Sequence, residues 1–160
     1  MKELTESAKC AKMVKNELQK KYPHLKISVK SENYSMGDNV NVRIYIESIE
    51  DMIIDEDIST ILSKYEYGSF DGMTDYYDIN NRRNDIPQTK YLFFEIEYSP
   101  KITKQIANDF NKYWNGEFVI ESKESESYHF KDTKIGYFDF TDSNCNHLIQ
   151  TFIKKNYSKT

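Results

Sequence analysis

Three carboxylates, Asp71, Asp75 and Asp78, crowd into one short stretch, and oxygen donors at that density can hold Mg²⁺ or Ca²⁺. Their spacing fits neither an EF-hand nor a two-metal nuclease, so a metal-dependent hydrolase built on them is only a weak alternative. Imidazole is available at His24, His129 and His147, but none has a metal-ligand spacing such as HExxH, and each reads as a surface histidine. Cys10 and Cys145 lie far apart without CxxC or CxxH spacing, which predicts two buried, reduced thiols. The chain has no Walker loop, no GxGxxG behind a strand and no GxSxG elbow. Gly68 and Gly72 sit in a loop that lacks the Lys-Ser/Thr pair a phosphate site needs. No nucleophile and base are paired, so the sequence predicts no catalytic residue, no metal, no cofactor and no enzymatic activity.

Binding chemistry is more legible. Between Ile44 and Asn80, ten carboxylates (Glu47, Glu50, Asp51, Asp55, Glu56, Asp57, Glu66, Asp71, Asp75 and Asp78) face one cation, Lys64, in a chain of net charge −4. Such a segment repels nucleic acid and attracts the basic surfaces that handle it. The same region is rich in tyrosine, which buries a ring while keeping its hydroxyl wet; the chain holds 13 Tyr and 9 Phe. Candidate partner-binding residues are therefore the acidic Glu50, Asp51, Asp55 and Glu56, together with Tyr67, Asp71, Asp75, Tyr76, Tyr77, Asp78, Arg82 and Arg83. Within that loop Phe70 and Met73 are expected to pin the chain to the core, and Gly68 and Gly72 to make turns. A competing nucleic-acid face would use Lys9, Lys12, Lys26, Lys30, Arg82 and Arg83. The lysines of the first helix read instead as a solvated face, so strong direct nucleic-acid binding is not expected.

The elements that must position these groups follow from hydrophobic period. Ala11, Val14, Leu18 and Tyr22 mark an amphipathic helix from Thr5 to Tyr22, capped by Thr5 or Ser7 and stopped by Pro23. Leu25 to Val29 and Val40 to Ile46 alternate as two strands of an antiparallel hairpin with a long loop. Ile58, Ile61, Leu62 and Tyr65 mark a second helix with Asp55, Glu56 and Asp57 in its first turn. Residues 66–90 read as a long ordered loop. Tyr91 to Tyr98 is a third strand, and Ser99 and Pro100 open a third helix that Gly116 ends. Phe118 to Ser122 and Ile135 to Phe140 are strands around a Ser/Glu hairpin, and Asp142 caps a last helix. The expected fold is α+β, with a mainly antiparallel sheet of about five strands and four helices in the order α-β-β-α-β-α-β-β-α. No apolar run is long enough to cross a bilayer and no signal-peptide core is present, so a soluble, intracellular protein is expected.

Three segments carry a family resemblance: LKISVKSENYSMGDNVNVRIYIE at 25–47, KYEYGSFDGMTDYYDINNRRNDIP at 64–87 and KYLFFEIEYS at 90–99. They resemble the large polyvalent protein-associated domain 29 family of phages, plasmids and other mobile elements, most specifically at the FDGMTD core, 70–75. The resemblance covers about 6–115 of a single domain spanning 1–160, leaving a C-terminal β-β-α extension at 116–160. It implies a mobile-element protein rather than a reaction. One departure is an acidic insertion, Glu47 to Asp57, where family members have a shorter, Trp-containing link. A small, free-standing member of this composition resembles staphylococcal anti-CRISPR proteins. That resemblance implies a cytoplasmic inhibitor, in a bacterial host cell, of a type II CRISPR effector nuclease or another basic nucleic-acid-handling protein, with no membrane partner. The alternative is a nucleic-acid-binding accessory module for mobile-element DNA processing.

Overall fold

The computed structural model describes residues 3–53, 55–102, 104, 105, 108, 109, 118–124, 127–132 and 136–139. The chain forms two compact units, Met1–Tyr45 with Glu56–Glu97, and Ile46–Asp55 with Tyr98–Thr160.

The first unit is built on a helix and a sheet. Helix α1 (Glu6–Lys21) is capped by Thr5, whose hydroxyl accepts from the Ala8 N–H at 3.3 Å. Ser7, the other candidate cap, is buried and donates to Asn33 Oδ1 at 3.0 Å. The α1 stripe Cys10, Ala11, Val14 and Leu18 is buried, and the helix packs on strand β1 (Lys26–Tyr34). β1 pairs antiparallel with β2 (Gly37–Ile46), and the pairing continues to Tyr34 opposite Gly37. The long loop expected in this hairpin is therefore a two-residue turn, Ser35 and Met36, because Asn33, Tyr34 and Asp38 extend the ladder beyond the apolar alternation. Val40, Val42 and Ile44 are buried, as are Ile58 and Leu62 of α2 (Asp55–Leu62) and Tyr65 of the 3-10 turn Ser63–Tyr65.

After α2 come two short strands, β3 (Ser69–Asp71) and β4 (Tyr76–Asp78), and then β5 (Tyr91–Tyr98). β5 lies beside β2 in a three-stranded sheet of order β1-β2-β5. Contacts advance together along β2 and β5, from Asp38 with Lys90 to Arg43 with Glu95 and Glu97, so the two strands run parallel. The expected single, mainly antiparallel sheet is corrected to a mixed one. A parallel neighbour needs a crossover connection too long for a tight turn, and the segment from α2 to Lys90 supplies it.

In the second unit Ile46, Ile53 and Ile102 are buried. Ser99 accepts from the Ile102 N–H at 3.4 Å, capping a helix whose first residue is Pro100, as expected. Strands β6 (Phe118–Glu124), β7 (Ser127–Asp132) and β8 (Gly136–Asp139) form an antiparallel sheet of their own. The Ser/Glu stretch thus contributes a strand of its own, β7. The α+β class holds, with three helices and eight strands in three sheets among the described residues. The last expected helix, from Asp142, lies outside the described residues.

Candidate functional site

Residues 66–90 are a hairpin set on a hydrogen-bonded frame. The frame centres on Gln88, which is 1% exposed, a large polar side chain where an apolar one would be usual. Its Oε1 accepts from the Arg83 N–H at 2.7 Å, and its Nε2 donates to the carbonyls of Lys64 at 2.8 Å and Asn81 at 2.9 Å. Asn81 in turn donates to the carbonyls of Ser63 and Glu66, each at 2.9 Å. Thr89 is buried, pairs with Glu66 in a parallel bridge, and donates its hydroxyl to Asp38 Oδ1 at 2.9 Å; the same oxygen accepts from the Lys90 N–H at 2.7 Å. Both ends of the loop are therefore fastened to each other and to the β1-β2 turn.

Beneath the frame, Tyr65 donates its hydroxyl to Glu17, which also takes the Lys64 ammonium at 2.7 Å. Burial opposes the charge on Glu17, but Lys64 and Tyr65 outweigh it and hold the carboxyl below its ordinary range. The Cys10 thiol, buried under Tyr65 and facing Asp38 and Glu6, is pushed up to about 12. It is a packing residue, unreactive at neutral pH.

From this frame rises the antiparallel pair β3-β4, with Phe70 opposite Tyr77 and Asp71 opposite Tyr76. Gly68 is required at its base, because a Cβ there would fall 2.5 Å from the Tyr77 ring. The tip, Gly72 to Asp75, is closed by Asp71, whose carboxylate accepts from the Met73 N–H and the Thr74 hydroxyl, each at 2.9 Å. Those hydrogen bonds hold the Asp71 carboxyl below its ordinary range. Asp75 has φ 54°, the left-handed conformation that Asp tolerates better than most residues. Among the described residues no three His, Cys, Asp or Glu side chains gather as a metal site.

Tyr77 is the hairpin's anchor. Its hydroxyl donates to the Lys90 carbonyl, and its ring meets Tyr67 edge-on at 5.9 Å and Tyr91 at 5.3 Å. Burial, then the nearby Glu66 carboxylate, pushes its phenol upward. Tyr67 carries the Arg82 guanidinium over its ring at 4.9 Å, and Arg83 is forked onto Asp85, with Nε at 2.9 Å from Oδ1. Tyr67, Tyr77, Arg82 and Arg83 thus support the loop as well as lining it.

What the hairpin presents to solvent differs from the expectation. Phe70 and Met73 do not pin the loop to the core: they are 54% and 97% exposed, beside Tyr76 at 65% and Ile79 at 62%. The polar frame has taken over the anchoring, which frees the apolar side chains of the tip. Phe70, Met73 and Ile79 are therefore functional candidates that the sequence reading missed. The signal was present in the turn-favouring Asp71-Gly72 pair, with Phe70 before it and Tyr76 and Tyr77 after it.

Residues 5–107 match the family described as Large polyvalent protein associated domain 29. The chain belongs to this family. Domain 29 accordingly spans the whole first unit from Thr5 through β5, with the frame and hairpin inside it, and marks a protein associated with mobile elements. No curated protein and no solved structure matches the chain.

The acidic stretch from Glu47 to Asp57 in this domain 29 member holds the starts of two helical segments. Ser48 caps the 3-10 turn Ile49–Asp51, accepting from the Glu50 N–H at 3.4 Å, and Asp55 and Glu56 open α2. Glu50 and Glu56 are exposed and Asp51 is half-buried. Glu50, Asp51 and Asp55 belong to the second unit, whereas Glu56 and the hairpin residues Tyr67, Asp71, Asp75, Tyr76, Tyr77 and Asp78 belong to the first. Among the described residues, no helix is long and apolar enough to cross a membrane.

Proposed function

We propose that this domain 29 protein is a non-catalytic inhibitor of a host defence nuclease, a type II RNA-guided effector, which it grips through the β3-β4 hairpin. The observation that carries this reading is the hairpin itself: Phe70 on β3, Met73 at the tip, Tyr76 on β4 and Ile79 just after it stand exposed above a hydrogen-bonded base. Single exposed apolar residues are ordinary, but this hairpin offers them on both faces, Phe70 on the face of Tyr77 and Tyr76 on the face of Asp71, with Met73 at the turn, so a partner that closes around it has apolar surface to bury. A fixed base means that little conformational freedom is lost on binding. The exposed carboxylates of Asp75 and Asp78 beside them suit a partner surface rich in Lys and Arg, as expected of a protein that handles DNA and guide RNA.

The reading favours clamping of a mobile nuclease domain over DNA mimicry, because net −4 is mild for a mimic and the exposed tip is apolar as well as acidic. Glu50, Asp51, Asp55 and Glu56 then steer the encounter, and reversing them to Lys is expected to slow association most at low salt. The deciding experiment is capture of a guide-loaded effector by the purified protein, with and without target DNA, paired with a cleavage assay. Capture and inhibition by the wild type, both lost in Met73→Ser/Tyr76→Ala, support the reading. Inhibition that survives in that variant places the grip elsewhere. Turnover of plasmid or single-stranded DNA with Mg²⁺ or Mn²⁺ by the protein alone, abolished in Asp71→Asn, would overturn the non-catalytic assignment.

A further inference from the structure

The sheet of the first unit has a second face, away from α1, that the hairpin reading does not use. Lys26, Ser28 and Lys30 of β1 lie opposite Tyr45, Arg43 and Asn41 of β2, and β5 adds Phe93, Glu95 and Glu97. A concavity of about 370 Å³ opens on this face, lined by residues that include Lys30, Asn41, Arg43, Tyr45, Phe93 and Glu95. Phe93 is 55% exposed, although a sheet surface open to water would ordinarily carry a polar residue there. Its ring lies nearly parallel to Tyr91, 12° apart with centroids at 6.2 Å, so the two form a flat aromatic strip along β5. Tyr45 offers a second ring with the Lys26 ammonium 5.1 Å from its centre.

The charges on the face are unequal in availability. Glu95 and Glu97 hold Arg43, at 3.4 Å and 2.9 Å, while Lys26 and Lys30, and at the far end of the concavity Glu32, make no ion pair among the described residues. Flat rings with the two ammonium groups of Lys26 and Lys30 at one side suit unstacked bases and their phosphates, and a duplex, with its base faces covered, cannot use the rings.

We propose that this open sheet face binds a short stretch of single-stranded nucleic acid, its bases stacked on Phe93 and Tyr45 and its phosphates beside Lys26 and Lys30. The site shares no residue with the hairpin tip and does not depend on the nuclease-inhibitor reading. Because Arg43 is already held, stacking carries most of the affinity and the salt dependence is shallow.

Fluorescence anisotropy of the full chain with a labelled oligothymidylate, across a salt series, tests this. Saturable binding is expected, with single strand preferred to duplex of the same length. Phe93→Ala should weaken it about tenfold or more and Phe93→Trp should restore it. Lys26→Ala/Lys30→Ala should flatten the slope of log affinity against log salt by about 1.4, while Lys12→Ala/Lys20→Ala on α1 should change nothing. The proposal is overturned if binding is absent, if Phe93→Ala binds as well as wild type, or if the α1 variants remove binding. It is equally overturned if Phe93→Ala loses capture of the effector protein while the wild type ignores the oligonucleotide.

Discussion

Within residues 66–90 two neighbouring regions put their polar and apolar side chains in opposite places. In the frame, Gln88 and Thr89 are buried and hydrogen-bonded; on the hairpin above it, Phe70, Met73, Tyr76 and Ile79 stand in water. Each violates the usual rule that polar groups stay out and apolar groups go in, and together they make sense. A loop tied by hydrogen bonds can hold its shape without spending hydrophobic side chains, which then remain for a partner. Stability and recognition are thereby assigned to different residues of one segment.

Removing the centre of the frame should have the largest effect. Gln88→Leu leaves the Arg83 N–H and the carbonyls of Lys64 and Asn81 without their buried partner, and should cost about 3 kcal/mol or more in denaturant unfolding. Inhibition should fall with it, because the hairpin loses its base. The converse substitution at the tip should invert that pattern. Met73→Ser/Tyr76→Ala should leave unfolding free energy within about 0.5 kcal/mol of wild type while weakening partner binding by about 2 kcal/mol or more. If this variant unfolds readily, the division between the two regions is false.

Tyr77 joins the regions and should show an intermediate result. Tyr77→Phe keeps the ring contacts with Tyr67 and Tyr91 but leaves the Lys90 carbonyl without its donor. A loss of about 1 kcal/mol in stability is expected, with a smaller change in binding. The smallest effect concerns pH. Glu17 has a folded pKa below its unfolded value of about 4.3, so its contribution is present above that value and is lost as pH falls through the folded pKa. Glu17→Gln should therefore differ in melting temperature from wild type at neutral pH, and the difference should close on acidification below about pH 4.

Much of this arrangement was legible in the residues. The stripe in α1, the alternation in β1 and β2, the acidic first turn of α2 and the Ser99-Pro100 start each rest on local pattern, and each appears as expected. The parallel placement of β5 and the division into three sheets depend on which strands meet, which alternation does not encode. At the site, the loop's involvement of tyrosine and aspartate was readable, whereas the roles within it were not. Phe70 and Met73 read the same in sequence whether buried or exposed, and only the three-dimensional course of the loop decides between them. Gln88 itself had no sequence signal, since a lone glutamine beside a proline is usually a surface residue.

The parallel docking of β5 on β2 also bears on how the first unit folds. The α1-β1-β2 contacts are short in sequence and can form early, but the Asp38 carboxylate must find Thr89 and Lys90 across a separation of 51 and 52 residues. Loop-closure entropy makes that encounter late. Asp38 is in effect a latch thrown after the transition state, so Asp38→Ala, which removes the shared acceptor, is expected to speed unfolding while leaving the refolding rate nearly unchanged.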